Sequence, residues 1–121
     1  MTGGDSGIGR AVCYYFLLEG ATVAFTYVKG IEDKDKDDAM EMFCKVKAKD
    51  AKDPIAIAAD ISSEKNCKEV IDKVVNAYGR IDVLVNNAAV EHYTCSIEEI
   101  CGADLESLFR INIFSQFFLT K

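Results

Sequence analysis

Apolar residues in this chain recur at two alternating spacings, helical in some stretches and continuous in others, with turn residues at each switch. That alternation limits the fold more than any single residue does. A helical stripe runs from about Ile8 to Leu18 and stops at Gly20, a position suited to a left-handed cap. Thr22 to Val28 is β-branched and aromatic, which predicts a strand buried on both faces. The charged run Glu32 to Asp38 reads as a solvated helix start, and Met40, Phe43, Cys44 and Val46-Lys47 form the core-facing side of that helix. Asp53-Pro54 breaks it, and Ile55 to Ala59 is a short buried strand ending at Asp60.

Ser62 and Ser63 can cap the next helix, whose stripe is Cys67, Val70, Ile71, Val74, Val75 and Tyr78, and Gly79 closes it. Ile81 to Val85 is a third apolar strand, followed by Asn86-Asn87-Ala88-Ala89. A polar segment with His92 and Tyr93 leads to a last helix capped by Asp104 and running to Lys121. Helices with one apolar stripe alternating with continuous apolar strands predict an α/β fold, a parallel sheet with helices on both faces. No internal repeat or linker divides the chain, so residues 1–121 read as one domain.

Composition removes whole classes of function. No stretch approaches the ~20 apolar residues of a membrane-spanning helix. The 20 Asp and Glu outnumber the 14 Lys and Arg, with no basic cluster, which disfavours nucleic acid as a partner. Five cysteines without a Cys-x-x-Cys pair and a single histidine, His92, leave no set of metal ligands. We read the cysteines as reduced thiols in a cytoplasmic compartment, and the amino terminus lacks the pattern of a signal peptide.

Thr2-Gly3-Gly4-Asp5-Ser6-Gly7-Ile8-Gly9 is a glycine-rich turn directly before a helix. Glycines there let backbone N–H groups and the positive end of the helix dipole approach a pyrophosphate, although glycines also serve ordinary turns. In dinucleotide sites an acidic residue about twenty positions on usually meets the adenosine ribose, but here the strand ends Thr26-Tyr27-Val28-Lys29. The missing carboxylate and the charge of Lys29 favour NADP over NAD. Asp60 could meet adenine or cap its helix, and Asn86-Asn87 lies where ligands bind in open parallel sheets or simply forms a turn. Asn112 sits among Leu105, Leu108, Phe109 and Gln116 on a mostly apolar stripe, so its amide is a structural cross-link or part of a polar site. The breadth of apolar surface on that helix, with Ile111, Phe114 and Phe118, predicts a homo-oligomer contact.

Taken together, Thr2-Gly3-x-x-x-Gly7-Ile8-Gly9, Asp60, Asn86-Asn87-Ala88 and Asn112 resemble the short-chain dehydrogenase/reductase family in order and spacing over essentially the whole chain. Gly20 to Tyr27 and Gly79 to Asn87 are similar to plant glucose and ribitol dehydrogenase homologues. The resemblance implies a Rossmann-like, doubly wound sheet and an NAD(P)-dependent oxidoreductase of an alcohol or carbonyl, such as a sugar or polyol. It implies cofactor contacts from Gly3, Asp5, Ser6, Gly7, Ile8 and Gly9 to the pyrophosphate. Tyr27 and Lys29 would lie at the adenosine end, Asp60 and Ile61 at adenine, and Asn87, Ala88 and Ala89 at the crevice. Asn112 would hold a water of the proton relay. Ala89 departs from the family's usual Gly.

None of Tyr14, Tyr15, Tyr27, Tyr78 and Tyr93 has Lys four positions later, so the family's Tyr-x-x-x-Lys pair, with its catalytic Ser, is expected beyond residue 121. The resemblance also implies a first strand of which only Met1 remains, which leaves two unpaired edges or a gap between Thr22–Val28 and Ile81–Val85 and a chain that is marginally stable or aggregates unless a partner chain supplies a strand. The expectation is therefore an incomplete cofactor-binding half of an oxidoreductase. The alternative is a non-catalytic short form that binds nucleotide or pairs with full-length subunits.

Overall fold

A computed structural model describes residues 1–121 and contains the expected helices in the expected order. Helix α1, Gly7–Leu18, ends ahead of Gly20, whose φ of +85° is the left-handed geometry glycine adopts freely. Strand β1, Ala24–Tyr27, and strand β2, Ile55–Ala58, pair in parallel with Ala24 opposite Ile55 and Tyr27 opposite Ala58. Both are shorter than the apolar runs that contain them.

Helix α2, Asp33–Val46, connects β1 to β2, and its first turn carries Asp33 and Asp35 at the positive end of the dipole. It packs with α1 over one face of β1, where Cys13, Leu17, Val23, Phe25, Ala39 and Phe43 form one core cluster. Phe25 and Phe43 meet edge to face at 5.5 Å between ring centres. Cys44, expected in this core, is exposed, because Ala39 and Phe43 define the buried line and the next residue turns away from it. Lys47 falls after the helix end.

Helix α3, Glu64–Tyr78, covers the other face with Cys67 and Val70 buried against Ile57, Ile61 and Leu119. The Ser63 side chain accepts from the Asn66 N–H at its start, and Gly79, with φ of +89°, ends it. Val75 lies outside the buried stripe and is exposed, whereas Tyr78 reaches across to donate its hydroxyl to the carbonyls of Val23 (3.1 Å) and Asp53 (2.7 Å). Burial pushes the Tyr78 hydroxyl up to about 12.

Two expectations change in the remainder. Ile81 to Val85 joins no strand ladder; its only backbone hydrogen bond is from the Thr2 N–H to the Val85 carbonyl (3.0 Å). A groove of about 720 Å³, lined by Val23, Phe25, Cys13, Val70, Val74 and Leu84 among others, separates it from β1. The segment has strand composition without a strand beside it.

The last helix starts at Gly102, where the Cys101 sulfur rather than Asp104 caps it by accepting from the Asp104 N–H. It consists of α4, Gly102–Phe109, a wider π-helical turn over Arg110–Phe114, and α5, Ser115–Thr120. Ser115 and Leu119 are buried on it, with Ile111 and Phe118 packed beside them, while Leu105, Phe109 and Gln116 are exposed. The protected line thus runs through Leu108, Ile111, Ser115 and Leu119, offset from the expected one.

Candidate dinucleotide site

The glycine turn is held from two sides. On one, Met1 pairs with β1: its amino group donates to the Ala24 carbonyl (2.9 Å) and its carbonyl accepts from the Thr26 N–H (3.0 Å). Gly3 N–H donates to the Thr26 hydroxyl (3.2 Å) and Gly4 N–H to the Thr26 carbonyl (3.2 Å). On the other side the buried Thr2 hydroxyl accepts from the N–H groups of Asn87 (2.9 Å) and Ala88 (3.0 Å). The Asn87 side-chain amide donates to the carbonyls of Thr2 (3.1 Å) and Gly3 (3.0 Å). Asn87 therefore joins the strand-end crevice to the turn and spends its donors on protein.

Gly9 is needed for this junction. A Cβ there would fall on the Gly3 carbonyl oxygen and lie 2.6 Å from the Asn87 amide nitrogen. The lack of a Cβ lets the helix pack closely on the turn. Gly7 has the opposite character, with φ of +49° and open space where its side chain would be. The surface at Gly7 is therefore open.

The first turn of α1 has free backbone donors. Arg10 N–H returns to the Ser6 carbonyl (3.0 Å), but the N–H groups of Asp5, Ser6, Gly7, Ile8 and Gly9 have no protein acceptor. Ser6 makes no side-chain cap, and Ile8 is exposed beside this row. Five consecutive unsatisfied donors at the positive end of a helix dipole are the groups that an anion would meet there. Asp5 contributes through its backbone, because its carboxylate is buried and neither oxygen meets a donor. Beneath it, burial pushes the Cys13 thiol up to about 11.

The other candidate residues border this turn with unequal freedom. Asp60 Oδ1 accepts from the Ser62 N–H (2.9 Å) and the Asp60 carbonyl accepts from the Asn66 side chain (2.9 Å), so it closes the turn ahead of α3, whose cap is Ser63, while remaining exposed. The expected helix cap is Ser63, and the exposed outer edge of Asp60 is sterically open. Ile61 has its side chain in the core and its carbonyl taken by the Cys67 thiol (3.2 Å), which leaves its N–H for a ligand. Tyr27 lies under the Lys36 ammonium, 5.7 Å from the ring centre, and Lys29 is exposed without an acidic partner. Ala89 is exposed at the crevice, so its methyl group narrows an open edge.

Asn112 belongs to a different link of the same crevice. Its Oδ1 accepts from the Val90 N–H (2.9 Å) and its Nδ2 donates to the Val90 carbonyl (2.9 Å), a two-point clamp on the segment after Ala89. It occupies the π-helical turn, and its own carbonyl accepts from the Gln116 side chain (2.7 Å). The side chain is thus a cross-link. His92 is surface-exposed, with Nδ1 3.7 Å from Asp104 Oδ1.

A sequence model of the short chain dehydrogenase family matches residues 1–121. The chain belongs to that family. It is 60% identical over 121 residues to glucose and ribitol dehydrogenase of Daucus carota and to NADPH-dependent aldehyde reductase 1, chloroplastic, of Arabidopsis thaliana. Each match covers 100% of this chain and 42% of the relative, so the chain spans about two fifths of their length. Among solved structures it resembles a blue fluorescent protein from a metagenomic library in complex with NADPH, with a TM-score of 0.84 and 28% identity over 98% of this chain and 46% of that one. A short chain dehydrogenase from Burkholderia cenocepacia in complex with NADP gives a TM-score of 0.85 and 27% identity over the same shares. The Rossmann-like class is therefore that of the short-chain dehydrogenases, with a two-stranded parallel sheet within these residues.

Proposed function

We propose that residues 1–121 are the cofactor-binding part of an NAD(P)-dependent oxidoreductase that interconverts an alcohol and a carbonyl. The observation that carries this is the row of five unpartnered N–H groups from Asp5 to Gly9, opening on the uncrowded side of Gly7. Those groups hold the pyrophosphate, the exposed edge of Asp60 and the Ile61 N–H meet the adenine, and Ala88 and Ala89 line the crevice toward the nicotinamide. The cofactor supplies hydride transfer. The chain's own residues bind it and hold the crevice rigid through Thr2, Asn87 and the Asn112 clamp. Asn112, with both side-chain atoms on Val90, acts as a positioning residue for the crevice.

NADP is favoured over NAD. Strand β1 ends without a carboxylate to meet a free ribose 2′-hydroxyl, and Lys29 just beyond it is an exposed, unpaired cation that suits a 2′-phosphate. The names of two relatives, glucose and ribitol dehydrogenase and an NADPH-dependent aldehyde reductase, support a sugar, polyol or aldehyde as the substrate class. Calorimetry with NADPH and NADH tests the cofactor: NADPH binds more tightly, and Lys29→Glu removes that preference while leaving NADH unchanged. Equal affinities for the two in the unaltered chain contradict it.

The complete protein is proposed to self-associate through the last helix, where Leu105, Phe109, Ile113 and Phe117 stay exposed at intervals of four. Light scattering of Phe109→Asp against the parent reads that association. Five unbridged thiols support a reducing compartment such as the cytoplasm. No helix is long and apolar enough to cross a membrane.

A further inference from the structure

The turn from β1 into α2 is tied down by carboxylates from the helix side. Gly30, with φ of +86°, reverses the chain after Lys29, and nothing lies where its side chain would be. Glu32 then meets Val28 twice: its N–H donates to the Val28 carbonyl (2.9 Å), and its Oε2 accepts from the Val28 N–H (2.6 Å). Asp33 Oδ2 accepts from the Gly30 N–H (3.0 Å). The backbone is therefore held on both sides of Lys29.

Glu32 serves this turn instead of its helix. It stands at the N-cap of α2, where a polar side chain ordinarily accepts from an N–H of the first turn, yet it makes no such bond. Its carboxylate is turned back to the end of β1, in a short charge-assisted bond to backbone. The other charged groups here are also engaged: Asp33 holds Gly30, and Lys36 pairs with Asp37 while lying over the Tyr27 ring. Lys29 is the one charged side chain of the turn without a partner, and it is exposed between two pinned residues. A long, flexible cation loses rotamer freedom when it meets a phosphate, and a backbone that must also be ordered adds to that cost.

We infer, resting on NADP as the proposed cofactor, that Glu32 is a positioning residue for its adenosine end, holding residues 28–31 so that Lys29 is presented to the 2′-phosphate. Glu32 acts through the Val28 N–H and does not touch the phosphate; Lys29 makes the contact. NADH has no 2′-phosphate and gains nothing from a fixed Lys29. A carboxylate that acted by its charge would do the reverse and repel the phosphate.

Calorimetry with NADPH and NADH on the parent, Glu32→Gln and Glu32→Ala tests this. Glu32→Gln keeps an oxygen for the Val28 N–H and removes the charge, whereas Glu32→Ala removes both. Glu32→Ala weakens NADPH about three- to tenfold and NADH less than about twofold, while Glu32→Gln keeps the parent's preference. A loss of folded chain lowers both affinities alike and leaves their ratio unmoved. Amide exchange on the same variants shows Val28 faster in Glu32→Ala and not in Glu32→Gln, with Phe25 and Tyr27 still protected in the β1–β2 ladder. Should Glu32→Ala fail to fold, Glu32→Asp keeps the charge but is one methylene too short for Val28, and shifts the ratio in the same direction. A ratio unchanged in the shortened variant, a Glu32→Gln that falls with it, or tighter NADPH binding in both overturns the inference. A parent that binds NADPH and NADH equally overturns the choice of NADP as well, so the two failures are told apart.

Discussion

Strand β1 and residues 81–85 carry the same signature, a short run of β-branched and apolar residues after a helix that ends at glycine. One forms a ladder and the other does not. β1 has β2 on one side and Met1 on the other, whereas 81–85 touches a partner only at Val85. Composition expresses the capacity of a segment to be a strand. A neighbour with free N–H and C=O groups makes it one. The next five residues, 86–90, sharpen the lesson: without any ladder they are held by Thr2 at one end and Asn112 at the other.

The largest effect is expected where this second kind of order depends on close packing. Gly9→Val drives its side chain into the Gly3 carbonyl and the Asn87 amide, and is expected to cost about 3 kcal/mol or to unfold the turn outright. Urea denaturation measures it; a variant as stable as the parent shows that the turn is not packed on the helix as described. Gly7→Ala meets no atom and disturbs mainly a φ of +49°, so it costs less in stability than Gly9→Val.

Hydrogen exchange compares the two strand-like segments directly. Amides of Phe25 and Tyr27, bound within the β1–β2 ladder, are expected to exchange about 10²-fold more slowly than those of Asp82 to Leu84. Equal protection along both segments means that 81–85 has found a partner, and the contrast disappears.

Asn112→Ala tests whether 86–90 depends on its distant clamp. Loss of both bonds to Val90 leaves a part-buried N–H and C=O unsatisfied, at an expected cost of about 1–3 kcal/mol. Increased exchange confined to residues near Val90 accompanies it.

The smallest effect is alkaline. Cys13 is held protonated by burial, with its pKa raised from 9.0 to about 11, and Tyr78 is raised from 10.0 to about 12. Between pH 9 and 12 the unfolded chain releases protons that the folded chain keeps, so stability falls as pH rises. The contribution of Cys13 is fully present below pH 9 and fades toward 11. Cys13→Ala flattens the pH 9–11 part of a urea-midpoint profile, and an unchanged slope there assigns the loss elsewhere.

Much of this was legible in the residues. Periodicity found α1, α2 and α3, the parallel order and the glycine turn, because each of these depends on local spacing and on glycine at a left-handed or crowded position. The junction of Asn87 with Thr2 spans 85 residues, and nothing local announces which amide partners it will choose. Cys44 and Val75 sit one residue past a buried line, a distinction apolar character alone does not make. The π turn at Arg110–Phe114 had one hint in the sequence, an amide at Asn112 on an apolar stripe. Asp5 reads as a ligand contact from its place in the motif, but its carboxylate points into protein and leaves only its N–H for binding.

The central claim is that the unpartnered donors of Asp5 to Gly9 form an anion seat for a dinucleotide. An NADPH titration followed by amide resonances tests it most directly. The account predicts that the amides of Asp5, Ser6, Gly7, Ile8 and Gly9 shift first and most, with Ile61 and Ala89 following and the α2 amides still. Saturable binding that leaves those five resonances in place, or no binding to the folded chain at all, contradicts it.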